Sequence, residues 1–347
     1  MFPGGPQNLI RRWLPITLAV SLSAGILVHA ADDLVISRFS DYIDALRVQA
    51  GIPGMVAAIV GLGDVQWERT YGVADVDKNL AVRTDTPFHL DGMTQMFAAS
   101  LVLRCVNDGW FTLNEPASGG TLGQLLSHTS PGPSGPVFSY NLERLNGIAQ
   151  PLAQCTKTTL AGAVGKLLGQ LSMQDAVPGP DAVDASWADG ATRSRYASAM
   201  NRLATPYAVD SRGRPSVSSY PARTLTPGAG LIASLHDLEQ FDLGIKSGFV
   251  LGPDFLVTAW TPQTDGSGQR LPHAIGWFVQ SYNGERVVWQ FGVSDNASSS
   301  LMVTIPGRGL TLILLANSQG LTRPYPLAQG DVTASPFARI FLSLFVR

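Results

Sequence analysis

The hydrophobic residues near the beginning of the chain predict a helix followed by a β-hairpin. Residues 32–50 carry apolar side chains at helical spacing, so one face of the helix is apolar. These side chains are Ile36, Phe39, Ile43 and Leu46. Residues 54–60 form a continuous apolar run, residues 61–64 are typical of a turn, and residues 65–70 supply a partner strand.

From about residue 88 to about residue 270 the pattern changes to short helical segments joined by loops rich in glycine and proline. The predicted helices cover residues 96–106, 122–126, 142–154, 157–171 and 234–245. Residues 177–219 contain several prolines and glycines and predict a long surface loop. The middle of the chain is therefore expected to form a helical lobe.

Strand patterns return at the end of the chain. Four strands are predicted over residues 275–282, 285–289, 299–305 and 310–315, and a closing helix over residues 335–345. The two ends then build one antiparallel sheet flanked by helices, with the helical lobe inserted between them. We expect an α+β fold in a single domain over residues 31–347. Its sheet lobe comprises about residues 31–87 and 271–347, and its helical lobe about residues 88–270.

The extreme N-terminus has the pattern of a secretory signal peptide. Arg11 and Arg12 precede an uncharged apolar run over residues 14–28, and the small residues Val28 and Ala30 fit a cleavage site after Ala30. The run is shorter than the about 20 residues that a membrane helix needs. A cleaved signal over residues 1–30 is the preferred interpretation, and a retained membrane anchor is the alternative. The cleaved form predicts a periplasmic or secreted protein.

Composition narrows the classes of partner. The chain of 347 residues has 24 Lys and Arg, 26 Asp and Glu, and a formal net charge of −2. Nucleic acids and anionic membrane surfaces select basic patches, so neither is an expected partner. The hydrophobic fraction of 45% is too high for a disordered chain. These values indicate a globular protein whose chemistry must be found in local motifs.

The chain has two cysteines, Cys105 and Cys155. Two are too few for a four-cysteine zinc site. In an exported protein they can pair as a disulfide, because the compartment outside the cytoplasm is oxidising. Two unpaired buried thiols are the alternative, and the sequence leaves both open.

Common catalytic and metal motifs are missing from the sequence. There is no G-x-S-x-G elbow, no phosphate-binding G-x-x-x-x-G-K and no H-E-x-x-H helix. The histidines of the mature chain are scattered and show no metal-ligand spacing, so neither a metal nor a cofactor is expected. His128 could serve a Ser-His-Asp triad, but its place after a short helix favours a hydrogen-bonded structural histidine.

Several short segments, taken together and in order, resemble one family. They are residues 51–54 (GIPG), 71–75 (YGVAD), 85–88 (DTPF), 125–130 (LLSHTS), 227–231 (PGAGL), 275–278 (IGWF) and 314–318 (LLANS). The chain is similar to the serine β-lactamase and penicillin-binding-protein family, nearest its class C β-lactamase, D-aminopeptidase and esterase branch. This resemblance implies a β-lactamase/transpeptidase-like fold over essentially the whole mature chain.

The family's catalytic pair is a serine and a lysine three positions apart at the start of the central helix, where the lysine amine can take the hydroxyl proton. Counted from Phe88, the serine position is Gly92 and the lysine position is Gln95. Glycine offers no nucleophile, and an amide cannot accept a proton near neutral pH. The resemblance therefore implies a serine-hydrolase fold without its nucleophile and base.

The remaining family positions outline an expected ligand cleft. Tyr140 stands where the family has a proton-shuttling tyrosine, and Asn141 follows it directly. On the strand at the edge of the cleft the family has a further motif, a Lys or His followed two positions later by Gly. Here Gln290 occupies the position of the cation, and Gly292 is kept. Asp91 precedes the site and is interpreted as an N-terminal helix cap. The expected cleft residues are Asp91, Gly92, Gln95, Tyr140, Asn141, Gln290, Phe291 and Gly292.

A displaced nucleophile is the alternative. Thr94 lies two positions after Gly92, which in a helix turns its side chain about 200° away. Ser127, Ser130 and Ser139 can line the cleft, but no lysine or histidine stands at a readable spacing from them.

The sequence thus predicts an exported, catalytically inactive pseudo-hydrolase that binds a small peptide-like or cell-wall-derived ligand. The alternatives are an active hydrolase or esterase with a displaced nucleophile, and a structural or protein-partner role with a closed cleft.

Overall fold

The computed structural model describes Met1 and residues 34–221, 224–323 and 325–346. Apart from Met1, the signal-like segment lies outside these residues, and the predicted first helix is described from residue 34 onward.

Strands occur throughout the described chain, and most of those in its middle are only two to four residues long. In chain order they are β1 Gly54–Val60, β2 Val65–Asp75, β3 Leu80–Ala81, β4 Phe88–His89, β5 Pro116–Ala117, β6 Gly120–Thr121, β7 Thr129–Gly132, β8 Gly135–Phe138, β9 Tyr207–Val209, β10 Pro215–Val217, β11 Ile232–Ala233, β12 Phe278–Tyr282, β13 Glu285–Ser294, β14 Ser298–Ile305 and β15 Leu310–Ala316.

The helices lie mainly in the middle of the chain, with one at each end. They are α1 (residues 34–49), α2 Thr94–Asn107, α3 Leu122–Leu126, α4 Ala149–Thr156, α5 Leu160–Gln170, α6 Gly190–Met200, α7 Leu235–Lys246, α8 Pro253–Ala259 and α9 Pro336–Phe345. Short 3₁₀ helices cover Asp91–Met93, Leu142–Ile148, Pro180–Asp184, Pro306–Arg308, Gln319–Leu321, Leu327–Gln329 and Val332–Ala334. No helix of the described chain is both long and apolar enough to span a membrane.

Seven strands form one sheet in the order β12-β13-β14-β15-β1-β2-β3, and each neighbouring pair is antiparallel. The two ends of the chain meet where β1 pairs with β15, for example Met55 with Ala316. The predicted α+β fold with an antiparallel sheet and inserted helices is confirmed.

The sheet is covered on both faces because successive side chains of a strand point to opposite sides. On β1, Met55 and Ala57 pack in one cluster with Phe39 of α1 and Phe341 of α9. Val56 belongs to the cluster of the helical lobe, which includes half of the residues of α2. All seven residues of β1 are buried, which explains why its sequence is continuously apolar.

Cys105 of α2 and Cys155 of α4 form a disulfide, with their Cα atoms 6.2 Å apart. Of the two alternatives that the sequence left open, the structure has the bonded one. The bond ties together two helices of the helical lobe.

The prediction of a long surface loop over residues 177–219 is wrong. This segment contains a 3₁₀ helix, α6, β9 and β10. Helix α6 has no apolar stripe, since its buried residues are Tyr196 and Ala199, and it begins where the Asp189 side chain accepts a hydrogen bond from the Thr192 N–H. Hydrophobic periodicity therefore gave no signal, and only the capping residue marked the helix.

Two boundaries near the site also differ from the prediction. The strand expected from residue 275 begins at Phe278, because Gly276 adopts a left-handed φ of 87° that ends the extended run. The next strand, expected to end at residue 289, continues to Ser294 as β13. Helix α8 was not predicted.

Candidate functional site

The turn before α2 lies directly against strand β13. A Cβ atom at Gly92 would be 2.7 Å from the carbonyl oxygen of Phe291 and 3.1 Å from the hydroxyl oxygen of Tyr140. A Cβ atom at Gly292 would be 2.0 Å from the carbonyl oxygen of Leu90. Both glycines are therefore required by the close approach of two backbones, and the space that a serine side chain would need at residue 92 is occupied.

Gln95 sits fully buried at the centre of the site. Its Nε2 donates to the carbonyl oxygen of Gly92 and to the hydroxyl oxygen of Tyr140, each at 3.0 Å. Its Oε1 lies 2.9 Å from Nε2 of His128. Both donors of the amide are used, so Gln95 joins the turn, the tyrosine and the histidine in one neutral network.

His128 is held neutral between Gln95 and the backbone of Asn141. Because an amide oxygen only accepts, His128 carries its proton on Nε2, and Nδ1 accepts from the Asn141 N–H at 3.2 Å. Burial lowers the pKa of His128 to about 4. Because its Nε2–H donates to the amide oxygen of Gln95, His128 is a hydrogen-bonded structural histidine, as the sequence favours.

Gln290 is also fully buried. Its Nε2 donates to the carbonyl oxygen of Gly276 at 3.0 Å and lies 3.3 Å from Nε2 of His273, while its Oε1 accepts from the Phe291 N–H at 2.9 Å. The amide that replaces the family's cation therefore binds this chain's own backbone.

The Tyr140 ring packs against two other rings of the site. It stacks on Phe291, with centroids 5.5 Å apart, and lies 4.6 Å from the ring of His128. Burial raises the pKa of the Tyr140 hydroxyl well above its usual range, so the phenol stays protonated. Its aromatic surroundings and its hydrogen bond from Gln95 favour a packing role over proton transfer.

Asn141 does not present its side chain to the site. Its Oδ1 accepts from the Glu143 N–H at 2.9 Å, which caps the 3₁₀ helix Leu142–Ile148. Only its backbone contacts His128. The expected cleft residue is thus an exposed helix cap.

Asp91, in contrast, is not the helix cap that the sequence suggested. No side-chain cap bond is found at the start of the 3₁₀ turn or of α2. The Asp91 carboxylate instead accepts a hydrogen bond of 2.6 Å from the Ser298 hydroxyl, and Asp91 has a left-handed φ of 48°. Burial raises its pKa to about 7. The backbone turn points the carboxyl at β14 instead of at the helix N–H groups.

The alternative nucleophiles find no base. The hydroxyl of Thr94 accepts from the Leu231 N–H at 3.3 Å, away from Gly92. Ser127 donates to the Gly123 carbonyl at 2.7 Å. In the described part of the chain, neither Ser130 nor Ser139 has a side-chain hydrogen bond to a lysine or histidine. None of these four side chains, Thr94, Ser127, Ser130 and Ser139, is therefore arranged as an activated nucleophile.

Sequence reasoning missed the contribution of His273. It lies in the loop before β12, is fully buried, and places its ring 4.7 Å from that of His128. Burial lowers its pKa well below the usual value. Nδ1 of His273 donates to the Ala274 carbonyl at 2.8 Å. A metal ion between His128 and His273 would have to displace these hydrogen bonds. No local sequence motif predicts that the two histidines lie side by side.

The turn before the central helix, that helix and strand β13 thus surround one closed site on a sheet built from both chain ends. The family model for beta-lactamases matches residues 39–331. The chain belongs to the beta-lactamase family. The resemblance seen in the sequence is confirmed. Gly92 and Gln95 can therefore be compared with the serine and lysine positions of that family.

Two relatives illustrate the level of sequence similarity. Protein flp from Staphylococcus aureus (strain MRSA252) is 24% identical over 308 residues, covering 77% of this chain and 60% of the relative. The chain therefore spans about three-fifths of the length of this relative. Penicillin-binding protein 4 from Amycolatopsis lactamdurans is 30% identical over 109 residues, which are 27% of this chain and 28% of that protein.

Solved structures share the fold at low identity. The octameric penicillin-binding protein homologue from Pyrococcus abyssi has a TM-score of 0.69 at 16% identity, over 82% of this chain and 74% of the other. The class C beta lactamase from Rhodobacter sphaeroides has a TM-score of 0.61 at 15% identity, over 81% and 94%. These similarities show a β-lactamase/transpeptidase-like fold.

Proposed function

We propose that this chain is a non-catalytic member of the beta-lactamase family that binds a carboxylated, peptide-like ligand without covalent chemistry. The observation that carries the proposal is the geometry at Gly92. The family's nucleophile position has no side-chain oxygen, and a carbonyl oxygen lies 2.7 Å from the place of its Cβ. Gln95, at the lysine position, is a neutral hydrogen-bonded amide and cannot act as a base.

The neutrality of the site supports the same proposal. Gln95, Gln290 and a neutral His128 offer no positive charge to a substrate carboxylate, and their polar groups already bind one another or the backbone. A ligand entering here would break several buried hydrogen bonds, each of which leaves an unsatisfied group that costs about 1–3 kcal/mol. Binding is therefore proposed beside the closed site.

A cavity of about 560 Å³ suits such a ligand. It borders the loop that carries His273 and is lined by Arg270, Arg286, Pro272 and Trp260, among other residues. Neither arginine has an ion-pair partner among the described residues, and the buried Nε1 of Trp260 has no hydrogen-bond acceptor. Guanidinium groups bind carboxylates through paired hydrogen bonds, and this chemistry supports a ligand that ends in a carboxylate.

Export is part of the proposal. The Cys105–Cys155 disulfide suits an oxidising compartment. The signal-like residues 1–30 point the same way, and a ligand derived from the cell wall would be met in the periplasm or outside the cell.

Muropeptides with a free terminal carboxylate are expected to raise the melting temperature of the purified chain by several degrees. A ligand at 100 times its Kd stabilises by about 2.7 kcal/mol. The same muropeptides with an amidated terminus should give a much smaller shift, because the charge that pairs with arginine is gone.

The variant with both Arg270→Ala and Arg286→Ala should lose the shift, whereas the exposed control Arg212→Ala should keep it. An equal shift for the acid and the amide, or an unchanged shift in the double arginine variant, would contradict the proposed ligand and its place.

A further inference from the structure

A second cluster of polar side chains lies between strand β2 and helix α7. Glu68 of β2 faces His236 and Glu239 of α7, and one ligand atom from each residue lies within 4.8 Å of the other two. Nε2 of His236 is 3.5 Å from Oε2 of Glu68. Strands β14, β15 and β1 separate β2 from β13, so the cluster is distinct from the closed site.

Glu239 is the unusual member of this group. It is only 4% exposed, and its Oε1 is buried with no hydrogen-bond partner. Buried polar groups in proteins nearly always have a partner, because an unpaired one is strongly destabilising. Burial and the neighbouring Glu68 raise the pKa of Glu239 to about 8. The carboxyl thus lacks a partner of positive charge.

Helix α7 fixes the geometry of its two residues. His236 and Glu239 are three positions apart, which places both side chains on one face of the helix. The first turn is held by a capping box in which the Ser234 N–H donates to Asp237 at 2.9 Å and the Asp237 N–H donates to the Ser234 hydroxyl at 3.2 Å. The ligand atoms therefore sit on a rigid element.

Lys246, the lysine at the end of α7, does not neutralise the cluster. It forms an ion pair of 2.6 Å with Asp242 and also donates to the carbonyl oxygens of Val60 and Gly61. Two ionised carboxylates and a neutral imidazole would carry a charge of −2, which a divalent cation balances.

We propose that Glu68, His236 and Glu239 bind a divalent transition-metal ion of the Zn²⁺ type. One imidazole nitrogen and two carboxylates form a donor set typical of zinc, with a fourth position left for water. Mg²⁺ and Ca²⁺ prefer sites made of oxygen atoms alone and more ligands. The ion would give the buried Glu239 its missing partner and connect the sheet to the helical lobe.

The histidines show no metal-ligand spacing among themselves, but His236 and Glu239 are three positions apart in the sequence. Glu68 is distant in sequence, and only the packing of α7 against the sheet brings it to them. The spacing alone was a weak signal, and the unpartnered Glu239 oxygen is visible only in three dimensions.

Titration calorimetry with Zn²⁺ on the full mature chain, free of any histidine tag and first treated with a chelator, tests the proposal. One ion per chain is expected to bind, and Zn²⁺ should raise the melting temperature while Mg²⁺ should not. His236→Asn and Glu68→Gln should each lower the affinity by more than the roughly 10- to 100-fold that loss of an outer-shell partner causes. Glu115→Gln, an exposed carboxylate elsewhere, should not change it.

Glu239→Gln should abolish Zn²⁺ binding, because a neutral amide does not supply the anionic oxygen that the ion requires. His236 and Glu68 are about half exposed, so their variants are expected to fold even where that of Glu239 does not. Co²⁺ should give a visible absorption band that His236→Asn removes. Absence of Zn²⁺ binding in the wild-type chain, or Zn²⁺ affinity unchanged in both His236→Asn and Glu68→Gln, would overturn the proposal.

Discussion

Breaking the Cys105–Cys155 disulfide is expected to lower the free energy of unfolding by about 4 kcal/mol. The two cysteines are separated by 50 positions in the sequence, and the bond removes the entropy that this loop would gain in the unfolded chain. The bond also joins α2, the central helix that follows the Gly92 turn, to α4 of the helical lobe. Its loss should therefore loosen the packing behind the site as well.

Urea unfolding of the oxidised and the reduced wild-type chain measures this effect directly, since the two forms differ only in the S–S bond and the two thiol hydrogens. The variant with Cys105→Ala and Cys155→Ala should unfold at or below the midpoint of the reduced wild type, because Cys105 is buried and alanine leaves a small cavity. Reductant should not move the midpoint of this variant. Equal midpoints for the oxidised and reduced wild type would contradict the prediction.

The second large effect concerns Asp91, whose carboxyl is buried against Ser298 with a pKa raised to about 7 from 3.8. Between these two pKa values the folded chain keeps the proton of the Asp91 carboxyl, whereas the unfolded chain releases it. The stability linked to this proton is therefore fully present below pH 4 and falls as the pH rises to 7. A shift of this size corresponds to about 4 kcal/mol.

Asp91→Asn should remove this dependence. Asparagine remains neutral, its Oδ1 can accept the Ser298 hydrogen bond, and it tolerates the left-handed φ of 48° at this position. The difference in unfolding free energy between variant and wild type should therefore grow in favour of the variant between pH 4 and pH 7, and remain constant above pH 7.

Urea titrations at several pH values test this difference. The other acids whose pKa is raised, Asp237, Glu239 and Asp242, titrate in both proteins, so their contributions cancel in the difference. Asp77→Asn serves as an exposed control for the effect of the substitution itself. A flat difference for Asp91→Asn would mean that the Asp91 carboxyl is not protonated in the folded chain near pH 6.

Much of the fold could be predicted from the sequence because local and global preferences agree there. The apolar residues of α1 recur at helical spacing, and β1 is continuously apolar because both of its faces are covered. Helix α6 could not be predicted from periodicity, because its position depends on Tyr196 packing into a small cluster and on a single cap at Asp189.

At the site, the spacing of the motifs identified which residues stand at the catalytic positions, but not how the space is filled. That Gly92 meets a backbone carbonyl of β13 follows from the packing of the turn on the strand. The position of the His273 ring beside His128 and the orientation of the Asn141 side chain away from the site likewise depend on loop conformation. The identities of Gly92 and Gln95 indicate that the family's nucleophile and base are absent from these positions. That the space around them is filled is seen only in the three-dimensional structure.

The most direct test of the proposed non-catalytic role is intact-protein mass spectrometry of the wild-type chain after incubation with a fluorescent penicillin and, separately, with a fluorophosphonate. A class C β-lactamase treated in parallel shows that the reagents are active. We expect no mass increase in this chain, because Gly92 has no side-chain oxygen and Gln95 has no basic amine that could activate another hydroxyl. A stoichiometric adduct on any serine or threonine would contradict it.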